Sequence, residues 1–123
     1  MAYQIPVLDV TFTAMSDLRT KQFCFVALLD DNSVELPSAT TEVTVGVLQN
    51  KPNAGEAASV RILGLSKIIL GATIAPGAVL ATTAAGQAQT AVATQSPGAL
   101  ACEQGNANEI VTAIVLPALN IKA

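Results

Sequence analysis

Turn-forming residues interrupt this chain so often that no long regular element fits between them. Clusters or pairs of Gly, Pro, Asn and Asp fall at Asp30-Asp31-Asn32-Ser33, Asn50 to Gly55, Pro76-Gly77, Pro97-Gly98 and Gly105 to Asn108. Each of these residues favours a bend for its own reason: glycine reaches positive φ, proline presets φ, and Asn and Asp bond their own backbone. The runs between them have strand length and carry β-branched residues. Phe23 to Leu29 and Val34-Glu35-Leu36 read as a hairpin around the Asp30–Ser33 turn. Glu42 to Leu48, Ala58 to Leu63, Ser66 to Leu70, Ala78 to Leu80, Gln87 to Val92, Ala99 to Cys102 and Ile110 to Leu116 read as further strands, with Gly64 ending one of them and Pro117 closing the last.

Many short strands at regular spacing predict an all-β fold, a small single-domain β-barrel or β-sandwich. The competing element is a helix over the alanine-rich 81–93, because alanine has the highest helix propensity. Gly86 and the threonines Thr82, Thr83, Thr90 and Thr94 in and beside that stretch argue against it. Residues 2–18, with Pro6 and no helical period, read as an extended arm. The expected organisation is an N-terminal arm over 1–20 and one β domain over 21–123. At 123 residues the chain is long enough for one core without metals or staples.

The two halves echo each other. Val26-Ala27-Leu28, a turn, a strand and Gly46-Val47-Leu48 are matched by Val79-Leu80-Ala81, a turn, a strand and Gly98-Ala99-Leu100. An Asn-containing turn, an acidic residue (Glu56 or Glu109) and a β-branched strand follow each, about fifty residues apart. Two similar units packed face to face around one core would produce this pattern, and so would the ordinary reuse of turns in β proteins.

Composition excludes several chemistries. The chain has no histidine, the commonest general base and metal ligand. Cys24 and Cys102 lack the partners a zinc site needs and read as buried small hydrophobes, with a disulfide left open. The Asp30-Asp31 pair sits in a turn and reads as solvated, and Gly64-Leu65-Ser66-Lys67 lacks the ending of a phosphate loop. No catalytic, cofactor or metal residues are expected, and the chain is not expected to be an enzyme. The net charge is −3 and the six cations are scattered, so nucleic acid is not an expected partner. Ile68 to Cys102 carries no charge, but its Gly and Pro residues exclude a spanning helix, and the N-terminus lacks the features of a signal peptide. Aromatic residues make up 3%, with Tyr3 the single tyrosine, which disfavours a sugar-binding platform.

The order of features resembles the capsid decoration, or cement, proteins of tailed phages. The resemblance rests on Phe12-Thr13-Ala14, Asp17-Leu18, Gln22-Phe23 and Phe25-Val26. It continues through Gly46 to Asn50, Pro52, Ala54 to Ala57, Val60, Gly64, Ser66-Lys67, Gly77, Gly86 and Gly98 to Ala101. Gly46 to Lys67 is the most specific stretch, and residues 117–123 run past where the family pattern ends. The resemblance implies a protein made in the host bacterial cytoplasm that binds the outer surface of the expanded virion head. It implies the phage major capsid protein as partner, no cofactor, and a homo-oligomer, a trimer ahead of a dimer. A structural β module of a phage tail or fibre is the alternative. The apolar residues Tyr3, Ile5, Val7, Leu8 and Phe12 of the arm are the expected capsid- or subunit-contacting set, because exposed apolar clusters generally have a partner.

Overall fold

The computed structural model describes residues 2–92 and 95–116. Met1, Ala93, Thr94 and the tail 117–123, including Pro117, lie outside the described residues. The elements are β1 (Ile5–Ala14), β2 (Phe25–Asp30), β3 (Ser33–Glu35), β4 (Gly46–Leu48), β5 (Ala57–Ile69), β6 (Val79–Thr82), β7 (Ala88–Thr90), β8 (Ala99–Ala101) and β9 (Ile110–Val115). The fold is all-β, and the alanine-rich 81–93 stretch holds the end of β6 and all of β7 among its described residues, not a helix.

The strands form one sheet in the order β1-β3-β2-β4-β5-β9-β8-β6-β7. It is not a closed barrel, the form that stood beside a sandwich in the sequence reading. β1 pairs with both β3 and β5, so the pairings of the first five strands run back on themselves. β5 then carries the sheet onward. It pairs with β4 at Val60 and Arg61 and with β9 from Gly64 to Ile69, while β1 pairs from Ala57 to Leu65. Because β1 and β9 both oppose Gly64 and Leu65, they occupy opposite edges of β5.

Gly64 does not end a strand as the sequence reading had it. The two short runs on either side of it are one strand of 13 residues. At Gly64 φ is +128°, and an added Cβ would lie 2.6 Å from the Ile5 carbonyl oxygen and 2.8 Å from the Val7 nitrogen. Only glycine lets β1 pass this close, and the register of β1 on β5 slips here, between Pro6 and Leu8. The segment read as an arm is thereby hydrogen-bonded into the sheet over residues 5–14.

The echo in the sequence is an internal repeat of structure. β2–β3, β2–β4 and β4–β5 pair antiparallel, as do β6–β7, β6–β8 and β8–β9. Hydrogen bonds recur with the same partners. The amide of Ala14 donates to the Glu56 carbonyl and that of Leu70 to the Glu109 carbonyl, both at 2.9 Å. Phe23 donates to Leu48 and Gly77 to Ala101, both at 2.8 Å. The Asn53 amide donates to Glu56 Oε1 and the Asn106 amide to Glu109 Oε1, both at 2.7 Å. The parallel pair Ala14–Val34 returns as the bridge Leu70–Ala88. One unit therefore runs from β1 into the first half of β5, and the other from the second half of β5 to β9.

The structure corrects the alignment of the echo by one residue. Phe23 matches Gly77, so Val26 matches Leu80, and Leu48 matches Ala101, so Val45 rather than Gly46 matches Gly98. In a strand, a slip of one residue reverses every side chain, so the correction decides which faces are equivalent. Nor is there a single core. One buried cluster gathers Leu18, Val26, Val34, Leu48 and Val60; the other gathers Ile68, Leu70, Leu80, Val111 and Val115, together with Phe25 and Val47. The first half of β2 and all of β4 are buried on both faces, with Phe25 and Val47 turned to one cluster and Val26 and Leu48 to the other. Each aliphatic side chain buried this way stabilises the fold by about 1.5–3 kcal/mol before chain entropy is subtracted.

Candidate functional surface

Among the described residues no group of three or more His, Cys, Asp or Glu side chains is placed to hold a metal. Among the same residues no helix is long and apolar enough to cross a membrane. Both thiols are free; Cys24 is buried as expected, whereas Cys102 is exposed, because it follows β8 at the edge of a turn. Burial pushes the Cys24 thiol up from its ordinary value, opposed by the nearby Lys21 charge. Asp30 and Asp31 lie exposed in the β2–β3 turn, where the Asp31 amide donates to Asp30 Oδ1 at 2.8 Å. A surface pocket of about 330 Å³ is lined by Thr73, Ile74, Gln104, Gly105, Asn106 and Glu109. Its single charged group, Glu109, is already occupied by the Asn106 amide. These groups are disposed as turn and core components.

The surface carries more information. Of the five residues singled out in the N-terminal segment, Tyr3, Ile5, Val7 and Leu8 are exposed. Phe12 is half-buried and packs against the first core cluster. The Tyr3 amide donates to Thr112 Oγ1 at 2.9 Å, which draws the start of the chain onto β9.

Ile5 belongs to a row that the sequence reading did not assemble. It opposes Leu65, Leu65 opposes Ile114, Ile114 opposes Leu100 and Leu100 opposes Val79. Directly opposed residues place their side chains on the same side of a sheet. Five aliphatic side chains thus line up across β1, β5, β9, β8 and β6. Ile5 is 54% exposed, Val79 46% and Ile114 36%, with Leu65 and Leu100 half-buried. The signal for such a row is an apolar residue at the outward position of a half-buried strand. It is invisible until the register of five separate strands is known.

The fold has a solved counterpart. The chain is similar to the N base of the head fibre gp8.5 of bacteriophage phi29, with a TM-score of 0.70 at 19% identity over 94% of this chain and 97% of that one. At this identity the likeness establishes a shared fold. No protein-family model and no curated protein matches the chain.

Proposed function

We propose that this chain is a non-enzymatic structural protein of a phage virion, bound to the outer surface of the head. The observation that carries the reading is the match in fold, nearly end to end, to the base of a phage head fibre. The decoration-protein pattern from Gly46 to Lys67 points to the same place on the virion. In this reading the sheet is a rigid block whose work is done by its surface. It holds neighbouring major capsid protein subunits together, each contact being modest and several acting at once. A second reading, a component of a fibre rather than a cement, draws on the description of the phi29 protein as a fibre base.

Immunogold labelling of virions from the phage that encodes the chain tests this directly. Gold distributed over the head is the expected result. Gold at fibre attachment points supports the second reading, gold on the tail overturns the head assignment, and virions without label overturn both. Co-sedimentation of the purified chain with undecorated, expanded heads then measures the affinity.

A further inference from the structure

The internal repeat shows what ordinarily covers the aliphatic row. In the first unit the equivalent row is Asp9, Arg61, Val47 and Phe25, which oppose one another across β1, β5, β4 and β2. By the matched hydrogen bonds, Phe25 stands where Val79 stands, Val47 where Leu100 stands and Arg61 where Ile114 stands. Phe25 and Val47 of that row are fully buried and Arg61 nearly so, while Asp9 at its end is exposed. The second unit covers Phe25 and Val47. The Phe25 amide donates to the Gly86 carbonyl at 2.7 Å, and Gly98 lies against the Phe25 ring. Phe25 and Val47 share a buried cluster with Leu80, Ala99 and Val115. The positions of Phe25 and Val47 are therefore covered by this chain's own β unit in the first half, and their equivalents Val79 and Leu100 are left open or half-open in the second.

We infer that the row Ile5, Leu65, Ile114, Leu100 and Val79 is the surface through which copies of this chain associate. The interface inside the chain continues onto the second unit, where the chain has no third unit to cover it and a second copy takes that place. Composition agrees. The row contains no polar side chain, where its counterpart holds an Asp–Arg ion pair, and the centres of homo-oligomer interfaces are the most apolar. An exact head-to-tail repetition of the internal joint is blocked. That joint needs Gly86, where an added Cβ would lie 2.9 Å from the Phe25 carbonyl oxygen, a backbone group that Val79 presents in the second unit as well. The first unit carries Asn32 at the Gly86 position. Rows of neighbouring copies accordingly meet each other about a shared rotation axis. Four inter-strand spacings of about 4.8 Å make the row roughly 19 Å wide. A strip that wide and one side chain deep covers less than the about 800 Å² per partner of a standard interface, so micromolar association is expected. The inference does not depend on attachment to a phage head.

The test is light scattering coupled to size exclusion, and analytical ultracentrifugation, on the full chain from about 1 µM to 1 mM, a range set by that expected affinity. The wild type should pass from monomer to a closed oligomer. Val79→Asp and Ile114→Asp should each weaken assembly at least tenfold while leaving the far-ultraviolet circular dichroism unchanged. Leu29→Asp, at an exposed aliphatic outside the row, should leave assembly unchanged. Should an aspartate variant fail to fold, Ile114→Thr keeps the β-branched shape and replaces it. A wild type that stays monomeric at 1 mM overturns the inference. So do row variants that assemble normally, or a Leu29→Asp that dissociates the oligomer as strongly as they do.

Discussion

Arg61 reaches across to Asp9 with two parallel hydrogen bonds, Nε to Oδ1 at 2.8 Å and Nη2 to Oδ2 at 3.0 Å. The guanidinium side chain is 6% exposed and the carboxylate 31%. Arg61 Nη1 also donates to Gln4 Oε1 and to the Leu65 carbonyl. The pair ties β1 to β5 at the position where the second unit has Ile114.

Removing one partner leaves the arginine charge in a site it cannot leave. Asp9→Ala should lower stability by about 2–3 kcal/mol, below the largest values for buried pairs because the carboxylate keeps contact with water. The double change Asp9→Leu, Arg61→Ile copies the aliphatic solution of the second unit and should recover most of the loss, since apolar isosteres of buried pairs are often neutral. Chemical denaturation of the two variants decides it: a double variant no better than Asp9→Ala would show that the pair sets register as well as satisfying charge.

Much of the fold was legible because turn chemistry is local. The β2–β3 hairpin follows from the Asp30–Ser33 cluster, and the last strand from the β-branched run after Asn108. Gly64 was illegible for the opposite reason: its role depends on Ile5 and Val7, nearly sixty residues away in sequence, which bring backbone against it. The repeat was visible in its letters but not in its register, because adjacent aliphatics in Gly46-Val47-Leu48 and Gly98-Ala99-Leu100 fit either alignment. The surface was the least legible part. Ile5 could be singled out as an apolar residue near a terminus, whereas Leu65, Leu100, Val79 and Ile114 look like any core aliphatic until strand pairing turns them outward.

The two thiols should separate kinetically. Cys102 is exposed and Cys24 is buried with its ionisation suppressed by desolvation. A chromogenic disulfide reagent should label one thiol per chain promptly and the second only with local opening. A labelling rate lower by two orders of magnitude corresponds to an opening cost of about 3 kcal/mol. Cys102→Ser should abolish the fast phase alone; two equal phases would contradict the placement of Cys24.

Acid titration should single out Asp17. Its carboxylate accepts from the Arg19 side chain at 2.9 and 2.8 Å and from the Arg19 amide at 3.1 Å. The Arg19 hydrogen bonds hold its pKa at about 2, below the ordinary carboxylate value of 3.8. A lowered carboxylate pKa means that the folded state favours the ionised form. The contribution is complete above pH 3.8 and fades as the pH falls towards 2. Both side chains are more than half exposed, at 51% and 60%, so solvent screens the pair. Carboxyl NMR should therefore show a midpoint near 2 that returns towards 3.8 in Arg19→Ala, with the melting temperature unchanged. A large loss of melting temperature in that variant would mean that Arg19 is packed, not merely paired.

Gly64→Ala tests the junction on which the two-unit architecture depends. The substitution has two costs, a positive φ of +128° and a methyl placed against the backbone of Ile5 and Val7. Together these should cost roughly 3 kcal/mol, since strained backbone and overpacking each contribute about 1–3 kcal/mol. Backbone cannot rotate aside as a side chain can, so β1 itself must shift. Hydrogen exchange should then show lost protection at the start of β1, which Gly64 admits, while β6 to β9, anchored by the buried cluster that they share with Phe25 and Val47, keep theirs. Uniform loss along the whole sheet would mean that the two units unfold as one, and that β5 transmits the damage instead of containing it.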